Sequence, residues 1–151
     1  MKRFTAVVLF LALLLSSASA MTADDLALYH NLHCADFGAA TAAPGEINER
    51  GWLYCAVTDG LYICYQIDAP TMCGGCYCLD EPDIPEFLAQ CVTICYVIGK
   101  QEEMARYYSV ILKQFIQARK GEETEQEDAG GLYINIRKSD FFIMTATTKG
   151  F

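Results

Sequence analysis

Eight cysteines in one chain, every one beyond residue 33, set the tightest limit on how this sequence can fold. They are Cys34, Cys55, Cys64, Cys73, Cys76, Cys78, Cys91 and Cys95, densest in Cys73-Gly74-Gly75-Cys76-Tyr77-Cys78. Upstream lie Lys2-Arg3, an apolar run from Phe4 to Leu15 and a small-residue tract ending in Ala18-Ser19-Ala20, which is the anatomy of a cleaved signal peptide. The run is shorter than the roughly 20 residues that cross a bilayer. The sequence therefore predicts a signal peptide over 1–20 and a secreted, extracellular chain over 21–151 with no membrane span. In an oxidising compartment thiols in such numbers are normally paired, so the cysteines are expected to form disulfides.

One pairing follows from local geometry. Trp52 to Val57 and Leu61 to Ile67 are β-prone runs around Thr58-Asp59-Gly60, and Asp-Gly between such runs is a strong hairpin signal. With Asp59 and Gly60 as the loop, Thr58 faces Leu61 and Cys55 comes opposite Cys64. Facing Cα atoms of such a pair are about 4.5 Å apart, at the short end of what a disulfide spans. A shift of one residue would spoil the match.

Thr22-Ala23-Asp24-Asp25 opens a short helix continuing over Leu26 to His33, and Ala35 to Gly45 reads as a loop. Asp83-Ile84-Pro85-Glu86 has the form of a capping box, and Phe87, Leu88, Cys91, Ile94, Cys95 and Ile98 recur at helical spacing before Gly99. Cys91 and Cys95 share one helix face, too far apart to bridge each other, and are expected to tie inward to the Cys73–Cys78 cluster. A second long helix is predicted over Gln101 to Lys120 with the stripe Met104, Tyr107, Tyr108, Ile111 and Phe115. Leu132 to Lys138 and Phe141 to Thr148 read as strands about Ser139-Asp140. The expected fold is α+β: a single disulfide-rich domain with an antiparallel sheet from two β-hairpins, packed by two to three helices. Two hairpins should share one sheet, because a lone hairpin is marginal in water.

The chemistry is less constrained. Cys73-x-x-Cys76 has the spacing of a redox dithiol, which makes a secreted thiol-disulfide oxidoreductase the alternative reading. That chemistry wants a thiol at a helix N-terminus, and Gly74-Gly75 are poor helix formers. His30, His33 and Cys34, with Cys73, Cys76 and Cys78, offer zinc-type ligands in no standard finger spacing, so neither metal nor cofactor is expected. Gly75-Cys76-Tyr77-Cys78, followed by Pro85, Leu88, Cys91, Cys95 and Tyr96, resembles the calcium loop and first long helix of secreted phospholipases A2. The likeness spans some twenty residues. It lacks a His-Asp pair on the Cys91–Cys95 helix, and Leu79-Asp80-Glu81-Pro82 replaces the calcium-loop glycines, so it implies at most a catalytically dead relative.

The net charge of −8 argues against nucleic acid and anionic membranes as partners. Tyr54, Tyr62, Tyr65, Tyr77, Tyr96, Tyr107, Tyr108 and Tyr133 exceed what a core of this size usually buries with satisfied hydroxyls. Tyrosine and tryptophan favour interfaces, having an apolar body and a polar tip. Trp52, Tyr54, Tyr65 and Tyr77 are the binding-surface candidates. The favoured reading is a secreted, acidic, effector-like, toxin-like or ligand-like binding protein with no enzymatic activity, acting on a protein partner.

Overall fold

The Asp59-Gly60 hairpin forms where the sequence places it. Strand β1 (Glu46–Ile47) borders β2 (Leu53–Thr58), which returns antiparallel as β3 (Leu61–Asp68). Gly60, at φ 86°, takes the left-handed turn position that most residues avoid. The structure, a computed structural model, describes residues 20–68, 70–79 and 83–148. The expected signal peptide, except Ala20, lies outside the described residues.

Strand β4 (Thr71–Cys78) pairs with β3, β5 (Glu127–Asp128) with β6 (Tyr133–Lys138), and β7 (Phe142–Thr147) with both β6 and β4. The result is a seven-stranded antiparallel sheet in the order β1-β2-β3-β4-β7-β6-β5. Three α-helices accompany it among the described residues: α1 (Ala23–His33), α2 (Ile84–Ile98) and α3 (Met104–Arg119). Thr22 and Asp25 close a capping box on α1, and Asp83 caps α2 ahead of Pro85.

All three helices pack on one face of the sheet, with α1 over β3, α2 over β4 and α3 over β6. Strand alternation sends Leu61, Ile63 and Tyr65, then Cys76, Met144, Ile134 and Ile136, into that layer, all buried. Phe87, Phe115 and Phe142 meet at its centre with ring centroids 5.2–6.0 Å apart. Gln114 of α3, itself buried, closes the β6 edge: its Oε1 accepts from the Ile136 N–H at 2.7 Å and its Nε2 donates to the Ile134 carbonyl at 3.1 Å. A helix side chain thus stands in for a missing strand.

Two expectations about the cysteines are corrected. All eight are buried, and no two stand at disulfide distance, so the domain is neither disulfide-rich nor disulfide-bonded. The Cys55–Cys64 clasp fails on register: Thr58 pairs with Leu61 but Ala56 pairs with Tyr62, leaving Val57 as a bulge. Cys55 then faces Ile63 and Cys64 faces Tyr54, so the two sulfurs sit on opposite faces of the sheet. The Cys73–Cys78 segment is a strand in mid-sheet, paired on both sides. Gly74 and Gly75 permit this. A Cβ on Gly74 would lie 2.6 Å from Ile94 Cγ2, and one on Gly75 would lie 3.0 Å from Cys64 Sγ.

Candidate functional site

Among the described residues, no helix packs on the other face of the sheet. Register places Tyr54, Cys64, Gly75, Thr145 and Asn135 in one row across five strands, and Ala56, Tyr62, Tyr77, Ile143 and Arg137 in the next. Tyr54 is 37% exposed, Tyr62 and Tyr77 are half-buried, and Thr145 is exposed. The Tyr54 and Tyr77 rings are 6.1 Å apart, and the Tyr77 side chain hydrogen-bonds both Tyr54 and Cys64. Tyr77 therefore lies over Cys64, whose thiol is pushed up to about 12, chiefly by burial. Cys73, on the same face, donates to the Thr147 hydroxyl at 3.3 Å. Among these ten row positions the only charge is Arg137. Glu46 of β1, which pairs with Tyr54, extends the first row by a carboxylate, so the charges on these rows stand at their two ends and the tyrosines between them.

Of the four binding-surface candidates, the structure brings Tyr54 and Tyr77 together on this face. Trp52 sits half-buried just before β2, its amide held by Asn48 Oδ1 at 3.0 Å. Tyr65 is fully buried on the helix face and presents no surface. Parity explains the split: Tyr65 is one residue on from Cys64 in β3, so it points the other way. Tyr62, counted among the excess tyrosines, and Thr145 were not among the binding-surface candidates, although their strands were predicted. Their side became evident only once β4 was known to lie between β3 and β7.

Tyr65 instead joins a buried polar string. His30 Nδ1 lies 2.7 Å from Tyr65 Oη, and His30 Nε2 lies 2.7 Å from Gln90 Oε1. Gln90 Nε2 donates to the Ala40 carbonyl and to Glu86 Oε1, which fixes its amide orientation and makes Oε1 the acceptor for the imidazole N–H. A neutral ring satisfies both ends, accepting from the tyrosine and donating to the glutamine. Burial pushes His30 down to about 4, against a smaller opposing effect of the Gln90 bond. His30, Tyr65 and Gln90 are fully buried, and the string ties α1 to β3 and α2.

The remaining thiols are packing groups. Cys76 and Cys91 hydrogen-bond across the β4–α2 interface, burial holds the Cys91 and Cys95 thiols far above their ordinary range, and Cys34 donates to the Ala40 carbonyl. Cys73 and Cys76 sit three apart in a strand and project from opposite faces, so this spacing, which aligns sulfurs on a helix, separates them here. His30, His33 and Cys34 also diverge, with His33 on Asp36 at 2.8 Å. Among the described residues no group of three His, Cys, Asp or Glu side chains is arranged to hold a metal ion, and no helix is long and apolar enough to cross a membrane. The stretch Gly75–Cys78, which resembles a phospholipase calcium loop in sequence, is a central strand. No protein-family model, curated protein or solved structure matches the chain.

Proposed function

We propose that the protein is an exported, non-enzymatic binding protein that engages a protein partner through the open face of its sheet. The observation that carries this reading is the face itself: Tyr54, Tyr62 and Tyr77 stand together, backed by a rigid five-strand platform and bordered by Thr145, Asn135 and Ile143. Protein interfaces are enriched in tyrosine and depleted of Lys, Glu and Asp at their centres, and this face has that composition. Its tyrosines are already ordered by Cys64 and by each other, so binding would freeze few rotamers. Export is supported by the N-terminal segment. Stability outside the cell would come from the helix-covered core.

A photoreactive benzoylphenylalanine in place of Tyr62 tests the reading, with the same probe at Asp24 on α1 as the control. In the fluid that receives the exported protein, the probe at 62 should give a discrete, saturable adduct, and the probe at 24 should not. Excess wild-type protein should suppress the adduct, whereas a Thr145→Arg variant, which plants a charge mid-face, should not. Equal adducts at both positions, or equal competition by both proteins, would sink the proposal.

A further inference from the structure

Helix α3 presents three distinct faces. Tyr107, Val110, Ile111, Gln114, Phe115 and Ala118 are buried against the sheet and α2. Tyr108, Leu112 and Ile116, four apart and so on one stripe, are 48%, 53% and 45% exposed, three large apolar side chains in a row facing water. Beside them Arg106, Lys113 and Lys120 recur every seven residues, close to two helical turns, and form an exposed basic ridge. On the opposite side of the stripe, Tyr108 and Leu112 join Phe37, Leu88 and Val92 around a groove of about 330 Å³. From Met104 to Arg119 the helix carries no acidic residue, although the chain as a whole has a net charge of −8. Lys113 meets Glu127 at 2.8 Å, while among the described residues Arg106 and Lys120 have no ion pair.

We propose that this stripe and groove form a second docking site, whose occupant is an amphipathic helix of a partner protein bordered on one side by acidic residues. The apolar stripe is one helix face wide, the geometry in which a helix lays its apolar residues into a groove. The basic ridge runs along one side and exposed Arg119 closes the C-terminal end of the stripe, so together they set the sign of the partner's charge, and the ridge sets its rotational register. A second copy of this chain fits poorly: pairing two α3 helices antiparallel about a two-fold axis sets the basic ridges side by side. An anionic membrane fits poorly too. A flat anionic surface would face a chain of net charge −8 with Glu102, Glu103, Glu122 and Glu123 flanking α3 in sequence, whereas a single helix need touch only the ridge.

Display selection tests this site with an unbiased library of helical peptides matched to the 16 residues of α3. The purified protein is the bait, and Leu112→Glu/Ile116→Glu is the counter-selection. Enriched peptides should carry apolar residues at i, i+4 and i+7 with Asp or Glu along one side. Their affinity should fall by roughly tenfold or more for Leu112→Glu and for Arg106→Glu/Lys120→Glu. Exchanging the peptide's acids for lysines should restore binding to the charge-reversed protein. Every substituted side chain is exposed, so circular dichroism and the urea midpoint should match wild type. No enrichment, enriched peptides without the acidic border, or unchanged binding by the variants would each overturn the proposal. So would a Leu112-dependent dimer in light scattering, or Leu112-dependent sedimentation with phosphatidylserine vesicles.

Discussion

His30 gives this fold a pH dependence whose size follows from its surroundings. The ring is fully buried, shared between Tyr65 and Gln90 in its neutral form, and pushed from its ordinary 6.5 down to about 4. The unfolded chain, with an ordinary histidine, takes up a proton below about 6.5, while the folded chain resists until about 4. Between those values the unfolded state binds more protons, so unfolding free energy falls as pH falls and is level above the window. The gap from 6.5 to about 4, at about 1.4 kcal/mol per unit, amounts to about 3 kcal/mol. That is a large share of the 5–15 kcal/mol typical of a domain.

Urea unfolding followed by tryptophan fluorescence at pH 7.5, 6, 5 and 4.5 measures it, provided His30→Gln is run alongside. Carboxylates also begin to titrate at the acid end, but they do so in both proteins, so the difference between the two curves isolates the imidazole. At pH 7.5 the variant should be less stable by about 1–3 kcal/mol, because groups on Tyr65 and Gln90 lose partners. On acidification the gap should close as wild type loses stability that the variant never had. Parallel curves from pH 7.5 to 4.5, or a His30 ring titrating near 6.5 by NMR in the folded state, would refute the argument.

Gln114→Leu should expose the β6 edge: the Ile136 amide loses its acceptor and the Ile134 carbonyl its donor, costing about 2–4 kcal/mol. Hydrogen exchange checks this directly, since protection at Ile136 should drop far more than at Met144. Gly74→Ala forces a Cβ to within 2.6 Å of Ile94 Cγ2, and the urea midpoint should fall by an amount equivalent to about 1–3 kcal/mol. Cys64, Cys91 and Cys95 should resist maleimide in the native protein and label on unfolding; peptides cross-linked at these positions would contradict the packing described.

Most of the helical half of the fold was legible in the sequence, because its signals are local. Asp83 with Pro85, the stripe from Phe87 to Ile98, and Gly99 lie within one stretch of chain, and α2 spans Ile84–Ile98. The two hairpins were legible for the same reason, down to the Asp59-Gly60 turn. What escaped was whatever depends on a neighbour distant in sequence. Strand β4 has two adjacent glycines and three cysteines, a composition that reads as loop, and it becomes a strand because β3 and β7 pair with it on both sides. The bulge at Val57 escaped as well, and that one extra residue decides which face Cys64 occupies. A buried histidine and an exposed one look alike in Tyr29-His30-Asn31-Leu32-His33, since Gln90 and Tyr65 lie far along the chain.

The segment Cys73-Gly74-Gly75-Cys76-Tyr77-Cys78, which reads in sequence as a chemical motif, works in the structure as the place where both faces of the sheet demand close approach. On the helix side Gly74 leaves room for Ile94 and Tyr65, and Cys76 fits between Ile63 and Met144 where a larger side chain would push α2 away. On the open side Gly75 leaves room for the Cys64 thiol, and that small, buried sulfur lets Tyr77 lie down and reach Tyr54. Filling Gly75 would therefore lift the tyrosines without touching α2, whereas filling Gly74 would disturb α2 and leave the tyrosines in place. A Gly75→Ala variant should hold its urea midpoint closer to wild type than Gly74→Ala does, yet lose competition for the benzoylphenylalanine-62 adduct. If Gly74→Ala proved the weaker competitor and Gly75→Ala competed like wild type, the tyrosine face would not be the surface that meets the partner.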